Sequence, residues 1–104
     1  MSDPGGADTP PSDLRTAARA GCRARGLDRR PIWDCLPFLA EDVGRLVNAV
    51  RRDDLAAVRA EIAACAALLD HIAERYDGAE LATLVADKVA VDERRAPAPA
   101  SSAW

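Results

Sequence analysis

An all-α fold, an antiparallel helical bundle of three to four helices completed by dimerisation, is what this sequence predicts, and three observations carry it. Apolar residues make up 49% of the 104 residues, yet alanine, the strongest helix former, supplies 23 of those positions. Leu, Val, Ile and Phe together supply only 21. That is about a fifth of the chain, at the edge where buried apolar area stops offsetting the entropy of ordering. β-Branched residues never cluster and aromatics are 4%, so strands have little to build on. Finally, apolar residues between positions 36 and 76 recur at steps of three and four, the period of a helix face.

The chain is read as one ordered segment, residues 14–95, between a disordered start at residues 1–13 and a disordered Ala/Pro/Ser tail at residues 96–104 that closes on Trp104. Within the ordered segment, residues 14–25 form the first helix, with Arg15, Arg19 and Arg23 stacked at intervals of four and an opposite face of Ala and Gly21. A second helix spans residues 35–52, capped by Asp34, with Pro37 in its first turn and a seam of Leu36, Leu39, Val43, Leu46, Val47 and Val50. Asp53 or Asp54 caps the third, whose seam is Leu55, Val58, Ile62, Cys65, Leu69, Ile72 and Tyr76. The connector is so short that these two helices fold back antiparallel. Asp77-Gly78-Ala79-Glu80 resembles a capping box opening the last helix, which carries Leu81, Leu84, Val85 and Val89, extends to Arg94 and stops before Pro97 and Pro99. Two seams whose residues each contribute roughly 1.5–3 kcal/mol when fully buried make a thin bundle, which predicts closure against a second subunit.

Charge is uneven beneath a net value of −3. Residues 14–30 carry six Arg against Asp28, whereas residues 31–92 are acidic. No aromatic or groove-reading motif accompanies the arginines, so nucleic acid is not the expected partner. No run of 18 apolar residues and no basic-then-apolar leader is present, which predicts a cytoplasmic protein without membrane contact. Cys22, Cys35 and Cys65 lack metal-site spacing and read as small reduced thiols. His71, alone on its helix, reads as a solvated or capped side chain.

Three blocks carry a family resemblance: Glu41-Asp42-Val43-Gly44-Arg45-Leu46, Ala60-Glu61-Ile62-Ala63-Ala64, and Lys88-Val89-Ala90-Val91-Asp92-Glu93-Arg94-Arg95-Ala96-Pro97. Together they resemble the all-α nucleoside triphosphate pyrophosphohydrolases of the MazG kind, whose pattern is E-E-x-G-E-L, then E-E-L-x-D, then K-x-x-x-N-x-x-R-Y-P. The resemblance spans residues 31–97. It implies a Mg²⁺ site of four acids, written E-x-x-E and E-x-x-D on two antiparallel helices, that splits a nucleotide into monophosphate and pyrophosphate. Acids three apart share a helix face, so two facing helices can offer four carboxylates to a hard cation.

Carried over by position, the four acids fall on Asp42, Arg45, Glu61 and Ala64, so two of them are lost. A cation about 4 Å from a metal charge costs on the order of 4 kcal/mol at an effective dielectric near 20, which makes Arg45 the damaging change. Asp42 and Glu61 lie on flanks that can face one cleft, and Asp92 stands at the family's Asn position. The expected function is therefore a MazG-like protein with a degraded metal site, acting as a nucleotide-phosphate binder or an interaction scaffold, with Arg45, Lys88 and Arg95 as phosphate-binding residues. One alternative is an active Mg²⁺-dependent pyrophosphohydrolase on Asp42, Glu61 and Asp92. Another is a helical protein-interaction module unrelated to nucleotides, and for both non-catalytic readings Mg²⁺ is not required.

Overall fold

The computed structural model describes residues 13–95. The expectations for residues 1–12 and 96–104, Trp104 included, lie outside the described residues. Four α-helices follow in order: α1 (Leu14–Ala24), α2 (Ile32–Arg51), α3 (Leu55–Asp77) and α4 (Leu81–Arg94). No strand occurs among the described residues, and no helix is long and apolar enough to cross a membrane.

Helix α3 is the hub. Both α1 and α2 pack along it, α4 touches it only sparsely, and α2 and α4 do not meet. Asp13 begins α1 by accepting a 2.7 Å bond from the Thr16 N–H, a side-chain N-cap. The turn after α1 uses Gly26 at φ 74, and Leu27 then folds under the helix, completely buried. Asp54 caps α3 through the Ala57 N–H at 3.1 Å, while the connecting Asp53 takes the left-handed conformation at φ 58 that Asp tolerates better than most residues. Gly78 at φ 79 ends α3.

Two caps differ from expectation. Helix α2 starts at Ile32 after Pro31, so Asp34 sits inside its first turn and faces Arg30 at 3.4 Å. Pro37 is consequently one turn further in than predicted. Its missing N–H leaves the Trp33 carbonyl unbonded within the helix, which is tolerable because both residues are exposed to water. Asp77 does not open α4, since α3 runs through it and its carboxylate accepts from Ala79 N–H instead. The first N–H of α4, Leu81, donates at 2.7 Å to the carboxylate of Asp70, two turns back on α3.

The interior is small. Cys22, Leu27, Cys35 and Leu68 form its centre, with Phe38, Leu39 and Ile72 packed against them. On α2 the inward stripe is Cys35, Asp42 and Ala49, one residue to the side of the predicted seam, and Leu36, Val43, Val47 and Val50 are left exposed. Similarly, α3 turns Leu68 inward and leaves Leu55, Ile62, Leu69 and Tyr76 exposed, while α4 buries no residue. Asp70, only 1% exposed, ties three helices together: Arg15 of α1 donates to it from Nε at 2.7 Å and from Nη2 at 3.2 Å, and Nη2 also reaches the Ala79 carbonyl at 2.7 Å.

Removing that carboxylate is expected to be costly. Asp70→Ala should lower the unfolding free energy in urea titrations by about 2–3 kcal/mol, below the about 3–5 kcal/mol of a fully enclosed pair because Arg15 retains some contact with solvent. Acid should act on the same bonds. The Arg15 guanidinium holds Asp70 below the usual carboxylate range and the Arg19 guanidinium does the same for Glu74. Carboxylates depressed in the folded state contribute stability that is fully present above their unfolded values, near pH 4, and is lost as pH falls through the folded ones. Calorimetric Tm is therefore expected to stay level down to about pH 5 and to drop below about pH 4.

Candidate functional site

The two acids that the family resemblance singles out come to one region of the molecule. Asp42 projects from α2 and Glu61 from α3, and both lie close enough to Cys65 to raise its thiol, an effect secondary to that of burial. Ala64 stands one turn along α3 from Glu61. It lines a cavity of about 420 Å³ between α1 and α3, together with Gly21, Cys22, Ala67 and Arg25. The packing of α2 on α3 thus places Asp42 and Glu61 near Cys65.

What occupies the space beside Asp42 is the chain's own cationic groups. Asp42 is 2% exposed, and its Oδ2 accepts from Arg25 Nη1 at 3.0 Å while Oδ1 accepts from Arg45 Nη1 at 3.0 Å. Arg25 arrives from the end of α1, its guanidinium 5.1 Å from the centroid of the Phe38 ring, a cation–π stacking that fixes its direction. Arg45 is also within 3.7 Å of Glu41. Two guanidinium charges therefore stand against one buried carboxylate, the sum of charge that a divalent cation would bring to it. Both Asp42 oxygens are engaged, each by one guanidinium group.

The remaining predicted residues are elsewhere. Asp92 and Lys88 pair with each other on α4 at 2.6 Å, one turn apart, and Arg95 follows at the end of that helix. Since α4 does not meet α2, Lys88, Asp92 and Arg95 do not converge with Arg45 or Asp42 inside one copy of the chain. Among the described residues no group of three or more His, Cys, Asp or Glu gathers in a way that could hold a metal ion. His71 is not solvated as expected but 5% exposed, and its Nε2 has no hydrogen-bond partner.

Several residues that shape this region are not readable from the motifs. Arg25 is the main one, because its partner lies 17 positions away across a turn. Arg15 and Asp70 are 55 positions apart. The one local hint is the stack of Arg15 and Arg19 at an interval of four, which matches Asp70 and Glu74 at the same interval on α3: Arg15 bonds Asp70, and Arg19 bonds Glu74.

No family model, no characterised protein and no solved structure matches this chain. The class that fold and site define is thus an all-α four-helix protein in which a buried aspartate between two helices is held by two arginines.

Because the Asp42 carboxylate is enclosed and doubly bonded whereas Glu61 is half-buried, their substitutions should separate. Asp42→Asn is expected to destabilise by about 1–3 kcal/mol in urea unfolding, the scale of a lost charged hydrogen bond, and Glu61→Gln to change stability by less than about 0.5 kcal/mol.

Proposed function

We propose that the protein is a non-catalytic, self-associating helical scaffold, MazG-like in its sequence blocks, whose former metal position is filled by Arg25 and Arg45. The observation that carries this reading is the row of apolar side chains on the outside of the α2–α3 hairpin. Leu36, Val43, Val47 and Val50 of α2 share one flank of that helix, and Leu55, Ile62, Leu69 and Tyr76 of α3 recur every seven residues. The two rows come together at one end, where Ile32, Trp33 and Leu36 meet Ile72 and Tyr76 around an apolar cavity of about 380 Å³. Trp33 is 78% and Tyr76 81% exposed. Large aromatics and aliphatics in a continuous exposed strip are the usual mark of a protein interface.

Helix α4 supports the same reading. It has 14 residues, buries none of them, and shows Leu84, Val85, Val89 and Val91 to solvent. Isolated helices shorter than about 12–15 residues are marginal in water, so this one needs a surface to lie on. A second copy meets both needs, because pairing two hairpins through their apolar flanks makes a four-helix bundle and gives each α4 a neighbour. The charge arrangement favours a scaffold over an enzyme or a phosphate binder at the same place. Arg45 is already paired with Asp42 and Glu41, and Lys88 with Asp92.

Sedimentation equilibrium of the purified chain is expected to give a dimer, and the double substitution Ile62→Glu, Leu69→Glu a folded monomer by circular dichroism. A wild-type chain that stays monomeric across the concentration range overturns the self-association. Calorimetric titration with Mg²⁺ or Mn²⁺ is expected to show no binding heat, with no pyrophosphate released from nucleoside triphosphates. Metal-dependent pyrophosphate release that disappears in Glu61→Gln would instead establish the enzyme.

A further inference from the structure

A polar crevice lies at the α1–α3 contact, away from the apolar strip. It measures about 250 Å³ and is walled by Arg19, Arg23, Asp28, His71, Glu74 and Arg75. Three guanidinium groups face two carboxylates here. Their engagement is unequal. Glu74 is taken by Arg19, which binds it through two nitrogens, and lies 3.7 Å from Arg15. Asp28 holds Arg23 only at the limit of an ion pair, 4.0 Å. Arg75 has no ion pair among the described residues.

Between these groups sits the imidazole of His71, nearly buried, with the one buried side-chain nitrogen among the described residues that lacks a hydrogen-bond partner. An unsatisfied polar nitrogen in a folded interior is unfavourable, and it marks the wall of this crevice as incompletely satisfied. Two under-used guanidinium groups beside it supply planar, multi-donor recognition of a tetrahedral oxyanion. We propose that this α1–α3 crevice binds a phosphate group, free or as a monoester, with Arg23 and Arg75 contacting its oxygens and the His71 ring forming part of its wall. The site is built from residues outside the three blocks of family resemblance. It stands or falls independently of the scaffold reading.

Inorganic phosphate and a nucleoside monophosphate, titrated separately into the full chain at low ionic strength and followed by calorimetry and amide NMR shifts, test the proposal. Saturable binding is expected, with shifts centred on the amides around residues 23, 28, 71 and 75. Arg75→Ala and Arg23→Ala should each weaken it roughly tenfold or more, the scale of one charge-assisted hydrogen bond, while Arg59→Ala, an equal charge loss elsewhere on α3, should leave it within about twofold. Tighter binding of the monophosphate identifies a monoester as ligand, and equal affinity identifies free phosphate. Arg23 and Arg75 are exposed, so their variants keep the test intact even where His71→Gln fails to fold. Absence of saturation by either probe in the millimolar range, or equal weakening by Arg59→Ala, overturns the site.

Discussion

The buried pairing of Arg15 with Asp70 is the contact on which the arrangement of helices depends, because a single carboxylate serves three of them. It anchors α1 through the guanidinium, belongs to α3, and receives the first backbone N–H of α4. A carboxylate at a helix N-terminus is favoured by the helix dipole as well as by the hydrogen bond, so Asp70 fixes where α4 begins. Arg15 closes the loop by binding the Ala79 carbonyl in the α3–α4 turn. With an apolar centre of four buried residues and three partners, directional bonds of this kind decide how α1 and α4 are placed. Hydrophobic burial alone is nondirectional and would leave that choice open.

The same economy shapes the region around Asp42. A buried carboxylate must be compensated, and either a metal or a pair of guanidinium groups can do it. Here Arg25 comes from the end of α1 and Arg45 from within α2, one steadied against Phe38 and the other one turn along the helix from Asp42. Compensation by side chains costs no free ligand and no ion, and it makes a stable junction between α1 and α2.

The apolar strip on the hairpin and the polar crevice around His71 lie on different flanks of α3, and their chemistries suit different partners. The strip is continuous, apolar and edged by exposed Trp33 and Tyr76, the pattern of a surface meant to be covered. The crevice is small, cationic and partly pre-paired, which suits a compact anion.

Most of the helix plan is legible in the sequence, because helix propensity, three-four spacing and local caps are properties of neighbouring residues. The short link at residues 52–54 fixes the antiparallel hairpin, and the end of α4 near Arg94 agrees with expectation. Tertiary structure decided which flank of each helix faces in. On α2 most of the seam read from the sequence, Leu36, Val43, Val47 and Val50, is outside, Leu39 packs against the core and Leu46 is half-buried, while Cys35, Asp42 and Ala49 are inside. The reason is steric and electrostatic: the small Cys35 and Ala49 allow α3 to approach closely, and the two arginines make burying Asp42 tolerable. The start of α4 shows the same division. Asp77-Gly78-Ala79-Glu80 has the local form of a capping box, yet the α3 C-cap claims Gly78 and the α4 cap comes from Asp70, eleven residues earlier. Spacing along the chain determined that these helices form. Only their meeting in space determined which charges they share, since Arg15 and Asp70 lie 55 positions apart and Arg25 and Asp42 lie 17 apart across a turn.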